Sequence, residues 1–264
     1  MRFGVSMPNF GDPAGLVDLA VTAEESGWDG FFVWDHLQFD AASGPPVHDP
    51  WVLLGAIAAR TTRVTIGPLV TPVPRRRPWK LAKEVTTLDH LSGGRAILGV
   101  GLGVPVAEEF TAFGEPSDRK VHAAMLDEGL EVIDLLLRGE RVDHDGAHFH
   151  VHAQLVPGTV QRPRPPIWVA AMLPPRAGVR RARRWDGIFP IHAELGALTP
   201  EMVAGLAAEL DSRPGYDIVT ALGPDSDVAA LEKAGATWAI DGPSSPAESF
   251  DTTRRRIAEG PPGR

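Results

Sequence analysis

A histidine next to a carboxylate gives this chain its plainest chemistry. Trp34-Asp35-His36 closes an apolar run, Gly30–Trp34, that reads as a strand. Imidazole titrates near neutrality, so His36 at a strand mouth can hold or move a proton. The same position suits a histidine that merely caps the strand end, and the residue types leave both readings open. Gly101-Leu102-Gly103 follows another apolar run and offers bare backbone to a flat ligand, or simply a turn; Glu108 and Glu109 come just after it. Arg75-Arg76-Arg77 suits an anionic ligand tail or, more plainly, a loop meeting the carboxylates of nearby helices. His144, His148, His150 and His152 carry metal-ligand character. On a strand the last three share a face, as a zinc or nickel site would use. They fall in what reads as a surface hairpin, and no Asp-x-His pattern follows the first strand, so no metal is expected.

The elements that must position these residues alternate. Short apolar runs predict strands over residues 2–7, 30–34, 64–67, 96–100, 167–170, 187–190, 218–222 and 237–240. Helical periodicity lies between them. Asp12-Pro13 and Asp49-Pro50 are start signals, Gly27 and Gly93-Gly94 stops. One helix carries Leu126, Leu130, Ile133 and Leu137, another opens at Thr199-Pro200, and a short one over 228–234 precedes a last one near 246–258. Parallel neighbours need a helical crossover, so this alternation implies an all-parallel sheet. Eight such units close a (β/α)8 TIM barrel in about 250 residues. A doubly wound sheet would show a Gly-rich dinucleotide turn after its first strand, and Met7-Pro8-Asn9-Phe10-Gly11 is not that turn. Asp145-Gly146 between β-like segments 141–143 and 148–152 predicts a hairpin inserted at about 139–166. The reading is one barrel domain over 1–264. Its chemistry belongs at the C-terminal strand ends: Trp34 to His36, Pro68 to Thr71, Gly101 to Gly103, Ala171 and Met172, His192 and Glu194, and Asp241.

Composition sets the limits. The 264 residues are 43% hydrophobic and 23% charged, which excludes a disordered chain. Without cysteine there are no disulfides, thiol nucleophiles or Cys-based zinc sites. A net charge of -8 and a pI near 5.6 argue against nucleic acid as a partner. No apolar run approaches the roughly 18 residues of a membrane span, and Met1-Arg2-Phe3-Gly4 enters a strand with no signal-peptide pattern. The expectation is a cytoplasmic protein acting on a small-molecule substrate, with no membrane partner.

Many ordered motifs resemble the bacterial luciferase-like flavin- or F420-dependent oxidoreductases. They include Ala23 to Asp29, Trp34-Asp35-His36-Leu37, Asp49-Pro50-Trp51, Val64 to Gly67, Thr71-Pro72, Arg75 to Pro78, Leu91 to Arg95 and Leu98 to Gly101. Phe113-Gly114-Glu115, Asp127 to Leu130, Pro165 to Val169 and Arg184 to Gly187 extend the match. The resemblance implies F420 or FMN at the strand mouths, with hydride transfer or oxygen insertion on a small organic molecule. It implies cofactor contacts from Asp35, His36, Pro68, Leu69, Thr71, Gly101, Leu102, Gly103, Ala170 and Ala171, and a proton-handling role for His36. It also places a non-proline cis peptide after strand three, here at Pro68–Leu69, and allows a homodimer through barrel helices. Trp34, Trp51 and His192 are candidates to line a substrate pocket, though packing accounts for aromatic residues there equally well. This chain departs from the family pattern in three ways. Val104 stands where some F420-dependent members have glutamate, Pro174 and Pro175 remove backbone donors after strand five, and the later segments are short. Two other readings stay open: a barrel that binds flavin or deazaflavin without turnover, and a metal-dependent barrel hydrolase.

Overall fold

Capped helices and short apolar runs assemble into a barrel of parallel strands. The computed structural model describes residues 1–40, 44–194, 197–210, 213–243 and 248–263. In chain order the elements are β1 (Arg2–Met7), α1 (Pro13–Glu25), β2 (Gly30–Val33), α2 (Pro50–Arg60), β3 (Thr65–Pro68), β4 (Thr71–Pro72), α3 (Pro78–Ser92), β5 (Leu98–Gly101), α4 (Val106–Glu109) and α5 (Arg119–Arg138). They continue with β6 (Arg141–Asp145), β7 (His150–Gln154), β8 (Ile167–Leu173), α6 (Ala177–Ala182), β9 (Gly187–His192), α7 (Pro200–Leu210), β10 (Asp217–Ala221), α8 (Val228–Lys233), β11 (Trp238–Asp241) and α9 (Phe250–Ala258). The expected last helix begins later than its sequence signal, and positions 246–247 of that expectation lie outside the described residues.

The sheet runs β3-β2-β1-β11-β10-β9-β8-β5-β4, with parallel pairing throughout. Its ends meet where Ile66 bridges Ala96 and where the Ile97 N–H donates to the Ile66 carbonyl at 2.9 Å. β4 is the continuation of the third barrel strand, displaced by a bulge so that Thr71 pairs with Val100 of β5. The non-proline cis bond in that bulge joins Leu69 to Val70, one residue beyond the expected Pro68–Leu69. β8 also corrects the sequence reading. It extends to Leu173 because Ala171, Met172 and Leu173 stay in register with Pro190, Ile191 and His192 of β9. Ala171 therefore lies within the strand, as Ala170 was expected to, and not in the loop after it.

Helix starts follow the capping rule. Asp12 accepts from the N–H groups of Ala14 and Gly15, Asp49 from Trp51 and Val52, and Asp118 from Lys120 and Val121, which satisfies first-turn donors that have no helical partner. One apolar layer packs the helices onto the outside of the sheet, and Leu126, Leu130, Ile133 and Leu137 of α5 are all buried in it. A second cluster fills the barrel interior: Phe32, Trp168 and Trp238 meet with ring centroids 5.4–5.7 Å apart, joined by Leu69, Ile97, Val219 and Ile240. The barrel is thus a packed core, open to ligands at its rim alone.

The inserted hairpin forms, with Asp145 opposite His150, so its second strand starts two residues later than the sequence suggested. Glu128 of α5 ties it down by accepting from the backbone N–H groups of His148 and Phe149 and meeting His144 Nε2 at 3.1 Å. These contacts hold the Glu128 carboxyl below its usual range, although partial burial alone would push it up. His150 and His152 share an exposed face with Asp143 and Asp145. Among the described residues no group of three or more potential ligands could hold a metal ion, and no helix is long and apolar enough to cross a membrane.

Barrel closure depends on close backbone approach at Gly67. A Cβ built there would lie 2.2 Å from the Ile97 carbonyl oxygen, whereas one at Gly55 in α2 meets nothing within 4 Å. Gly67→Ala is expected to destabilise the protein by about 1–3 kcal/mol or more, while Gly55→Ala stabilises it by about 0.5–1 kcal/mol. Urea unfolding of the two variants checks both signs, and equal effects would refute the closure geometry.

Candidate active site at the strand ends

β2 delivers Trp34, Asp35 and His36 to the rim, and each finds a different neighbour. The Asp35 side chain is fully buried. Arg75 Nη2 donates to its Oδ1 at 2.8 Å and to its backbone oxygen at 2.6 Å. Arg76 donates through Nη2 to Oδ2 at 2.7 Å and through Nε at 3.1 Å. The Thr71 hydroxyl, at the start of β4, also donates to Oδ2. Burial pushes the Asp35 carboxyl up, but Arg76 and Arg75, with the hydrogen bonds from Arg76 and Thr71, pull it further down, and it settles below the ordinary aspartate range. Asp35 and Thr71 thus hold the strand ends together beneath the surface, with every donor around the carboxylate supplied by protein. Arg75 and Arg76 meet carboxylates, as the plainer sequence reading had it, yet they do so inside the molecule, with Arg77 alone of the three exposed.

His36 is held on its other side. The segment after β5 folds back through α4, and Glu109 Oε1 lies 3.0 Å from His36 Nδ1 while accepting from the Leu37 N–H at 3.1 Å. The carboxylate facing Nδ1 accepts a hydrogen bond from that nitrogen and so orients the ring. Arg75 Nε lies 3.0 Å from Glu109 Oε2 but off the hydrogen-bond direction, so that contact is a Coulombic one. Arg75 therefore joins Glu109 and Asp35, and through them the loops after β2 and β5. Gln38 adds a hydrogen bond to the Glu108 carbonyl at 2.8 Å. Glu109 is the acidic group that the loop supplies, five positions beyond Val104.

Asn9 completes the support. It is wholly buried, its Nδ2 donates to the carbonyls of His36 at 2.9 Å and His48 at 2.6 Å, and its Oδ1 accepts from the His36 N–H. Sequence reasoning missed it, although the strand-end rule applied to β1 would have reached it. Trp34 donates from Nε1 to Ser6 Oγ at 3.0 Å and stands edge-on to Phe10 and His36. Trp51 is buried in the first turn of α2, with the Arg76 guanidinium over its ring. His192 ends β9, half-buried, and its Nδ1 accepts from the Glu194 N–H at 3.3 Å. The structure gathers Trp34, His36, Phe10 and Phe39 in one aromatic group, and no ring contact joins Trp51 or His192 to it.

An apolar surface lies over the barrel interior. Val70 and Phe189 are half-buried and packed on the interior cluster, and Ala170 pairs with Phe189, while Leu102 at the end of β5 packs on the helix-side cluster. Gly101 leaves that strand end bare: a Cβ there would sit 2.8 Å from Val70 and 3.5 Å from the Ala170 methyl. Pro68 and Leu69 are buried beneath this surface and Gly103 is half-buried at its margin. The surface fits the face of a flat ring system, with backbone, and not long side chains, at the edge. Beside His36 a cavity of about 280 Å³ is lined by Leu37, Asp49, Arg75, Arg76, Glu109, Phe113 and Glu115.

With that geometry in place, comparison with known proteins is informative. The family model for luciferase-like monooxygenase matches residues 1–259. An F420-dependent glucose-6-phosphate dehydrogenase from Nakamurella multipartita is 38% identical over 172 residues, covering 63% of this chain and 49% of its own length. A protein of the same name from Beutenbergia cavernae is 32% identical over 222 residues, covering 78% of this chain and 65% of its own length. The chain thus spans about half the length of the first relative and under two thirds of the second. Among solved structures, an F420-dependent secondary alcohol dehydrogenase in complex with an F420-acetone adduct matches 99% of this chain and 98% of its own with a TM-score of 0.81 at 18% identity. That likeness establishes the barrel fold.

Asp35→Asn leaves Arg75 and Arg76 facing a neutral group inside the protein, and a loss of about 3–5 kcal/mol is expected. Because the folded carboxyl sits below its ordinary value, its contribution is complete above the unfolded aspartate range and disappears as pH falls through the depressed value. Denaturant unfolding from neutral to acid pH should show the gap between wild type and variant narrowing as pH falls. A constant gap would contradict the charge-based account.

Proposed function

The chain belongs to the luciferase-like monooxygenase family, and we propose that it is an oxidoreductase using F420 or FMN on a small organic substrate, built as one barrel domain over 1–264. The observation that carries this is the His36–Glu109 pair at the end of β2, beside the bulge and the apolar surface at the barrel rim. The F420-dependent relatives support the deazaflavin ahead of FMN.

Val70, Gly101, Leu102, Ala170 and Phe189 would hold the ring, and its chemistry is hydride transfer or, with FMN, oxygen insertion. Pro174 and Pro175 offer no N–H after β8, so Arg176, half exposed beside Glu209, is the cation that loop provides for an anionic tail. The chain's own part is orientation and proton movement. Glu109 would hold His36 through Nδ1–H, leaving Nε2 to take the proton of a substrate hydroxyl or, in the reverse direction, to return one to a carbonyl oxygen. Asn9 fixes the backbone on both sides of that ring. Asp35, Arg75 and Arg76 keep the two loops in register. We place the protein in the cytoplasm and expect it to pair with a second copy; exposed Val52 on α2 and Trp79 on α3 support that pairing.

The reading is tested by titrating the purified chain with F420 and with FMN and following fluorescence. Saturable binding of one is expected, and affinity for neither would refute the proposal. His36→Ala should then lower turnover about 10²-fold or more with little change in cofactor affinity. Unchanged turnover would remove the proton role, and tight binding with no turnover by the wild type would favour a barrel that only binds.

A further inference from the structure

The rim that surrounds His36 is poor in cations. The segments that follow the barrel strands, residues 8–12, 34–49, 69–77, 102–118, 174–176, 193–199, 222–227 and 242–249, hold twelve carboxylic residues, four arginines and no lysine, and the next cation, Arg119 at the start of α5, donates to the Gly103 carbonyl at 2.6 Å. Two of those arginines are spent: Arg75 on Asp35 and Glu109, Arg76 on Asp35 and, at 3.5 Å, Glu84. Arg176 is 3.3 Å from Glu209, and Arg77 is exposed next to α3. A phosphorylated substrate brings a dianion that needs positive partners when it leaves water. Here it would meet Asp49, Glu109 and Glu115, which line the cavity beside His36, and the two guanidiniums among the lining residues, Arg75 and Arg76, are already paired with carboxylates.

Around the imidazole itself the neighbours are rings, and the exposed charges of the cavity, Asp49 and Glu115, are both acidic. Phe10 packs on Phe39 with centroids 4.9 Å apart, and both rings approach His36, at 6.1 and 5.4 Å. Trp34 stands 6.0 Å from the imidazole, and Leu37 and Phe113, about half exposed, line the cavity. Such surroundings favour burial of hydrocarbon and leave His36 as the polar group that orients it.

We infer that the substrate is an uncharged, largely apolar molecule with one hydroxyl or carbonyl for His36, and not a phosphorylated sugar. This rests on the oxidoreductase reading above and narrows it to a substrate class. Selection comes from a repulsive element, the carboxylate-rich rim, acting together with an attractive one, the aromatic group.

The test is binding to the purified chain, with and without cofactor, of a matched pair: acetophenone and its anionic counterpart 4-acetylbenzoate, with glucose 6-phosphate as a third probe. Calorimetry and quenching of tryptophan fluorescence are the readouts, so turnover is not needed. Acetophenone should bind about tenfold or more tighter than 4-acetylbenzoate at low salt, and glucose 6-phosphate should not saturate. Leu37→Lys, which places a cation on the half-exposed cavity wall, should narrow the gap by improving 4-acetylbenzoate. Phe39→Ala should weaken acetophenone. Equal or tighter binding of the anions, no binding of acetophenone, or no response of 4-acetylbenzoate to Leu37→Lys would overturn the inference. A cofactor titration on the same samples separates the two ideas. If cofactor binds and acetophenone does not, the substrate class alone fails; if no cofactor binds, the oxidoreductase reading fails first.

Discussion

One buried carboxylate organises this rim. Asp35 has no solvent to neutralise it and is stable as an anion because two guanidiniums and a hydroxyl converge on it. Such an arrangement contributes little net stability compared with a well-packed apolar one, yet it is costly to break, which makes it a fixing device. It fixes the end of β2 against β4, just past the bulge, and through Arg75 it fixes Glu109. The position of His36, one residue from Asp35, follows from these ties and from Asn9.

The same network explains why the rim can carry so many acids and still present few free positive charges. Arg75 and Arg76 are consumed inside the structure, so their charge neutralises Asp35, Glu109 and Glu84 and is not available to a ligand. What is left around His36 is a group of rings, with Leu37, Phe113 and the carboxylates of Asp49 and Glu115 on the cavity wall. The barrel interior contributes in turn: Phe32, Trp168 and Trp238 plug it, so a ring system can rest on top of that packing and cannot sink into it.

Much of this was legible in the sequence, because its signals are local. Alternating periodicities and Asp-Pro starts define the βα units, and the strand-end rule for a barrel picks out Asp35, His36, Thr71 and Gly101 without any structure. Non-local geometry was not legible. The partnership of Glu109 with His36 spans 73 positions and depends on a four-residue helix that no periodicity marks. The cis bond fell one residue from its expected place because Pro68 remains paired with Val33 and the chain departs from the sheet only afterwards. The apolar run before the prolines at 174 and 175 predicts a strand that ends at Ala170, whereas pairing with β9 carries it through Ala171 to Leu173. Asn9 shows no pattern of its own; its meaning appears once two distant carbonyls, of His36 and His48, are brought to it.

The proposed chemistry requires that this rim bind a flavin or deazaflavin. The most direct measurement is the absorbance spectrum and mass of the small molecule that copurifies with the chain from a host able to make both F420 and FMN. One of these two is expected at stoichiometric level, F420 ahead of FMN. A chain that copurifies with neither, and holds neither after reconstitution, would contradict the proposal.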